Sequence, residues 1–166
     1  MTHDFTEAAT LAGDVAILER GQIVQRGAPR ELAAAPAPAF VADFTGASVL
    51  TGVAHDASDG LAVVELDGGG RVWSTDSLRG PVAVSMHPWE VSIEPAGEGA
   101  HGSAQNRLSA RVVGVVPLGS RVHVALETPQ LLTAEVTEPA VRSLGLHSGA
   151  QVTASWKATA TRLAGR

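Results

Sequence analysis

The stretch Leu61-Ala62-Val63-Val64-Glu65-Leu66-Asp67-Gly68-Gly69-Gly70-Arg71-Val72-Trp73-Ser74 decides how the rest of the chain is read. Two short apolar runs flank Asp67-Gly68-Gly69-Gly70, the composition of a hairpin turn, because glycine reaches positive φ without steric cost. A phosphate-cradling loop would need a following helix and a lysine, and neither is there. The same grammar continues from Val49 onward as short, β-branched stretches punctuated by Gly, Asp and Pro, which predicts a small barrel or sandwich.

Downstream, the pattern repeats. Leu50-Thr51-Gly52-Val53 lines up with Leu108 to Val112, Gly60 to Leu66 with Gly119 to Leu126, and Gly80-Pro81-Val82-Ala83-Val84 with Gly149 to Ala154. The period is about sixty residues and not constant, which predicts a duplicated small barrel with different insertions. Residues 95 to 105, rich in Pro and Gly, read as the linker between the copies. Thr137 should cap a short helix with Glu138 and Pro139 in its first turn and Gly145 at its end.

Upstream, residues 1 to 47 read as mixed α/β. Asp4 and Glu7 open a short helix through Leu11, with Gly13 at a left-handed end. Val15 to Leu18 and Ile23-Val24 flank a turn at Gly21, a hairpin signature closed by Gly27. Pro29 starts a second helix through Glu31 and Leu32. Pro36 and Pro38 break it before a helical turn around Phe40, Val41 and Phe44.

Composition narrows the function. A chain of 166 residues holds one ordinary domain, or two small ones and a remnant, so a large catalytic core is excluded. With no apolar run long enough to span a bilayer and no basic-then-apolar start, a soluble cytoplasmic protein is expected. The absence of cysteine removes disulfides, thiolate chemistry and Cys-rich zinc sites. A net charge of -5 argues against a nucleic-acid partner, which needs a basic face. Histidines 3, 55, 87, 101, 123 and 147 include no pair three or four apart, so no metal site is expected. Lys157 is the only lysine, and on its own it reads as a solvated strand-end residue. His87-Pro88-Trp89-Glu90 reads as a turn between strands rather than a base-acid pair.

The ordered segments Thr2-His3-Asp4-Phe5-Thr6-Glu7-Ala8, Asp14-Val15-Ala16-Ile17-Leu18, Gly21-Gln22-Ile23-Val24-Gln25, Gly27-Ala28-Pro29, Glu31-Leu32 and Phe40-Val41-Ala42-Asp43-Phe44-Thr45-Gly46 are similar to the end of an ABC transporter ATPase domain. The resemblance implies that His3 is the switch histidine that contacts the terminal phosphate of ATP, a task suited to an imidazole near neutral pH. That family's phosphate loop, acidic strand end and signature helix have no counterpart in these residues. The chain by itself is therefore expected not to be an enzyme, with ATP and Mg²⁺ handled only in a full-length form. Met1 stands where the family usually has Val, and a GTG valine codon read as a start gives Met, which predicts an ATPase-coding frame upstream.

Residues 49 to 95 and 103 to 165 resemble the transport-associated OB-like (TOBE) region of these ATPases. The second unit is similar to the molybdate-binding (Mop-like) barrel of molybdate importers, regulators and small binding proteins. The motifs that carry this are Ser103-Ala104-Gln105-Asn106-Arg107-Leu108, Ala134-Glu135-Val136-Thr137, Ser143-Leu144-Gly145-Leu146, Gly149 and Ser155-Trp156-Lys157-Ala158-Thr159. The implied fold is mainly β: tandem OB-like units at 48–97 and 103–166, preceded by an ABC ATPase remnant at 1–47.

The implied ligand is a molybdate-, tungstate- or sulfate-like oxyanion, held by Ser103, Ala104, Gln105, Asn106, Val136, Lys157, Ala158 and Thr159. A buried tetrahedral dianion needs convergent NH groups, hydroxyls and a cation. The family commonly shows S-A-R-N where this chain has Ser103-Ala104-Gln105-Asn106, so a neutral amide replaces a fixed cation and the expected affinity falls. Trp156 stands where Phe is common and should fill the same core slot.

Two readings follow. One is a regulatory, dimer-supporting region of an importer ATPase that works with membrane permease subunits at the inner face of the plasma membrane. The other is a free-standing molybdate-binding storage or sensing protein. Against the second, an ATPase remnant cut from its sheet should expose Val15, Ile17 and Phe40.

Overall fold

The computed structural model describes residues 1–3, 5–34, 46–57, 59–97 and 102–166. The Asp4 cap, the turn around Phe40, Val41 and Phe44, and the middle of the linker with His101 lie outside the described residues. The chain runs α1 (Phe5–Leu11), β1 (Val15–Glu19), β2 (Gln22–Gly27), α2 (Pro29–Ala34), β3 (Ser48–Asp56), β4 (Ala62–Leu66), β5 (Arg71–Ser74), β6 (Gly80–Met86), β7 (Ser92–Pro95), β8 (Asn106–Leu118), β9 (Arg121–Glu127), β10 (Leu131–Val136), α3 (Glu138–Ser143), β11 (Gln151–Trp156) and β12 (Arg162–Gly165). The fold is mainly β and OB-like.

β1 and β2 make a tight hairpin in which Arg20 and Gly21 both take positive φ, 51° and 82°. That is the twist a two-residue loop needs to match its strands. Val15 and Ile17 are buried against Leu32 of α2 and packed by Phe5, Ala8, Ala12 and Val24. The expectation that Val15 and Ile17 would be exposed is therefore overturned. The helix that Pro29 starts folds back over the hairpin and covers them, leaving Met1, Leu11, Leu18 and Ile23 as the large exposed apolar side chains among the described residues of this region. Gly13 is corrected too. It is not left-handed, and α1 closes with Ala12 N donating to Ala8 O at 3.0 Å, an ordinary helical bond.

The β region is two five-stranded antiparallel sheets, ordered β12-β6-β3-β4-β5 and β10-β9-β8-β11-β7. The last strand of each copy joins the sheet of the other. β7 pairs with β11 through Ser92↔Ser155 and Thr153↔Glu94, and β12 pairs with β6 through Leu163↔Val84 and Arg162↔Ser85. A single apolar core consequently runs from Leu50, Val64 and Val84 of the first copy to Val112, Leu126 and Trp156 of the second. Each fully buried aliphatic side chain in it contributes roughly 1.5–3 kcal/mol.

The repeat alignment needs one correction. Leu50 pairs with Val84 and Leu108 with Ala154, so these leucines are equivalent. Ala54 then pairs with Val64, and Val112 with Leu126, which sets Val64 opposite Leu126. The alignment of Leu66 with Leu126 was thus two residues out of step. β8 carries a bulge between Val112 and Gly114 and runs on to Leu118, so its hairpin glycine, Gly119, lies farther out than Gly60.

The Asp67 to Gly70 segment is a turn, with Gly69 N donating to Leu66 O at 3.0 Å and positive φ at all three glycines. Thr137 caps α3 by accepting from Ala140 N, and Gly145, at φ 61°, follows its end.

Candidate functional site

β11 ends in Ser155 and Trp156, both buried, and the chain then makes a 3₁₀ turn over Ala158–Ala160 before entering β12. Thr161 locks this turn. Its hydroxyl accepts from Trp156 Nε1 at 3.0 Å and from Asn106 Nδ2 at 2.8 Å, and it donates to Lys157 O at 3.2 Å. All the hydrogen-bonding capacity of one buried hydroxyl is used, so the backbone at Lys157 is held while its side chain stays exposed. Trp156 does fill a core slot, and its indole N–H adds a bond to Thr161 that a phenyl ring could not make.

A pocket of about 490 Å³ opens beside the turn. Lys157, Thr159 and Ala160 line it from the turn, Ser103 and Ala104 from the segment before β8, and Ser155 and Trp156 from β11. The opposite wall comes from the first copy, as Glu90, Ser92 and Glu94. Four of the eight residues implied by resemblance are thereby brought together: Ser103, Ala104, Lys157 and Thr159.

The other four sit elsewhere. Gln105 lines a neighbouring hollow with Asp59, Trp73 and Arg107. Asn106 is fully buried and structural: its Oδ1 accepts from Trp73 N at 2.6 Å, and its Nδ2 donates to Trp73 O at 3.0 Å as well as to Thr161. Ala158 is buried under the turn, accepting from Thr161 N through its carbonyl. Val136 lies on β10, packed against the core. His3 is exposed at an open hollow of about 580 Å³ between α1 and β1, with Thr2, Glu7 and Ile17 among its lining.

Sequence reasoning missed the acidic wall. Glu90 accepts a hydrogen bond from the His87 backbone N–H at 3.1 Å, and Glu94 pairs with Arg107 Nη1 at 2.8 Å while accepting from the Ser155 hydroxyl. Arg107 lines the neighbouring hollow and meets Glu94 from there, so the pocket's own lining carries one cation, Lys157, and two carboxylates. Nothing local in Ser92-Ile93-Glu94-Pro95 marks it as part of this pocket, because the strand reaches it only by crossing into the other copy's sheet.

Residues 102–163 match the family model of the TOBE domain. Over 162 residues the chain is 33% identical to the molybdate/tungstate import ATP-binding protein WtpC of Pyrococcus horikoshii, a match covering 96% of this chain and 45% of that protein. It is 32% identical over 130 residues to the Fe(3+) ions import ATP-binding protein FbpC of Brucella abortus, covering 77% of this chain and 35% of that one. The chain thus spans less than half the length of these relatives. In fold it is similar to the cytoplasmic molybdate-binding protein ModG, solved with molybdate bound, at a TM-score of 0.62 and 24% identity over 72% of this chain and 96% of that one. Ordered motifs, OB-like sheets and these likenesses agree: the chain belongs with the C-terminal regions of ABC importer ATP-binding proteins, and its residues 102–163 are a TOBE domain.

Proposed function

We propose that this chain is the oxyanion-sensing regulatory region of the ATP-binding subunit of an importer for molybdate or a related oxyanion. The observation that carries the reading is the convergence of the only lysine, Lys157, with Thr159, Ser103 and Ala104 on one pocket. An ammonium, two hydroxyls and nearby backbone N–H groups are the donors a tetrahedral dianion needs. The names of WtpC and ModG support molybdate or tungstate as the anion, with sulfate as the competitor of like shape and charge. Ala158 and Asn106 hold the turn, Gln105 lines the neighbouring hollow, and Val136 packs against the core on β10.

The pocket has more room than one small anion fills, and two carboxylates in its wall, so a second copy of the chain supplies the remaining donors in a homodimer. In a full-length subunit, residues 1–47 complete the ATP-binding domain, His3 faces the terminal phosphate, and ATP and Mg²⁺ are held by that other half. The assembly sits at the cytoplasmic side of the membrane against the permease subunits. Transport is restrained if the anion favours one of two arrangements of the OB-like units over the other.

A free-standing molybdate-binding protein is the second reading, favoured by the near-complete coverage of ModG. Against it stands the separate small core of Val15, Ile17 and Leu32, which belongs to neither OB-like unit.

The test is titration calorimetry of the whole chain with sodium molybdate, tungstate and sulfate. Molybdate and tungstate should bind, and Lys157→Met should weaken them by roughly tenfold or more while leaving the melting temperature within about 1 °C, since the side chain is exposed. Silence for all three anions would leave the region a purely structural role.

A further inference from the structure

We infer that the pocket already holds an internal anion: the carboxylate of Glu94 accepts from the Ser155 hydroxyl and is ion-paired with Arg107, and an external oxyanion binds by displacing it. The inference rests on the oxyanion reading above and adds two ligand-contacting residues and a built-in competitor to it.

Ser155 is 1% exposed, so its hydroxyl must be satisfied inside the protein, and it donates to Glu94 Oε1. Arg107 Nη1 lies 2.8 Å from Glu94 Oε2, with side-chain exposures of only 18% and 24% for the two partners. The register explains the cluster. Arg107 pairs with Ser155 across β8 and β11, and Ser155 with Ser92 across β11 and β7, so Glu94, two residues on, returns to the same face.

A carboxylate and a tetrahedral oxyanion present the same chemistry to these donors: negatively charged oxygens that accept from a hydroxyl and a guanidinium. The geometry that holds Glu94 is therefore one that an oxyanion of suitable size would use. Being tethered, Glu94 competes at a high effective concentration and sets a threshold that free anion must exceed. Its χ angles let the carboxylate swing toward solvent while the backbone pairing of β7 with β11 stays in place.

The displacement has a consequence beyond affinity. Glu94 comes from the first copy, whereas Ser155 and Arg107 come from the second, so an incoming anion removes a side-chain tie between the two units. That supplies the differential contact through which the anion biases their arrangement.

The experiment titrates the 166-residue chain and its variants Glu94→Gln, Arg107→Gln and Lys157→Met with sodium molybdate. Glu94→Gln keeps the shape and an acceptor for Ser155 but releases the guanidinium, so affinity should rise by roughly tenfold. Arg107→Gln should lower it by roughly tenfold, also in the Glu94→Gln background. Binding by Glu94→Gln where the native chain is silent would overturn the oxyanion reading of the native chain and the inference with it. If the native chain binds in a Lys157-dependent manner and Glu94→Gln binds equally or more weakly, Glu94 is only a structural partner: the inference falls and the oxyanion reading stands. If neither the native chain nor Glu94→Gln binds molybdate, both fall. Should Glu94→Gln not fold, the carboxyl ¹³C resonance of Glu94 in the native chain decides. It moves at saturating molybdate if the carboxylate is displaced, and a resonance that stays put overturns the inference.

Discussion

The turn at His87-Pro88-Trp89-Glu90 and the turn at Lys157-Ala158-Thr159-Ala160 share one backbone. The residues that open them have φ/ψ of -82°/148° and -79°/147°, and the residues that close them, Val91 and Thr161, have -93°/118° and -96°/117°. Their side chains have parted. His87 is buried and stacks on Trp89 with ring centroids 4.2 Å apart, while Glu90 reaches back to the His87 N–H. In the second turn Lys157 is exposed at the rim of the pocket, Thr159 replaces the indole, and Ala160 has no carboxylate to offer that N–H. The first turn ties its own side chains together, and the second leaves Lys157 and Thr159 exposed beside the pocket. Duplication kept the geometry that a strand end dictates and left the chemistry free to diverge.

The difference between the copies can be broken most severely at Gly52. A Cβ there would lie 2.3 Å from the carbonyl oxygen of Glu65, whereas the equivalent residue of the second copy is the buried Ala110. Imposing the second copy's residue through Gly52→Ala should cost about 2–4 kcal/mol, because backbone cannot yield as a flexible side chain can. Urea unfolding checks this, and a change below about 0.5 kcal/mol would show that the β3–β4 contact relaxes freely.

A smaller effect separates the residues that tie each copy to the other. Asn106 makes three bonds to Trp73 and Thr161, whereas its counterpart Ser48 accepts one, from Thr133 N at 2.9 Å. Asn106→Ala should therefore lose about 2–3 kcal/mol and Ser48→Ala about 1 kcal/mol. Equal losses from the two would mean that the asymmetry of the tie has no energetic weight.

The mildest contrast is at Asp67, whose structural counterpart is Pro129. The Thr51 hydroxyl donates to its carboxylate at 2.6 Å, and with Arg166 this outweighs desolvation and holds its pKa below the ordinary value of 3.8. A folded pKa below the unfolded one means stability that is present above pH 3.8 and lost as pH falls through the depressed value. Acidification from about pH 5 to about pH 3 should lower the melting temperature of the native chain slightly more than that of Asp67→Asn. Parallel curves would show that the carboxylate is equally content unfolded.

Much of this is legible in the residues themselves. The glycine turns at Gly21, Gly68 to Gly70 and Gly145 and the Thr137 cap are legible in the residues, since each depends on a few neighbours, whereas Gly13 is not left-handed. Ser103, Ala104, Lys157 and Thr159, which motif resemblance singles out, line one pocket. Asn106, in the same motif, proved to be a bridge to Trp73, which no local pattern distinguishes from a ligand contact. Val15 and Ile17 were misjudged because their cover, Leu32, arrives from a separate helix.

Alternation and turn chemistry are local, so the residues alone point to two similar runs of short strands, and the 3₁₀ turn and four-residue strand that end each run emerge in the structure. Ser92-Ile93-Glu94-Pro95 and Arg162-Leu163-Ala164-Gly165 would present the same inside and outside faces in either sheet. Folding of the whole chain assigns each to the opposite copy, because pairing partners are chosen by long-range packing against one shared core. That exchange brings Glu94 against Ser155 and Arg107, and so sets which charges face the pocket.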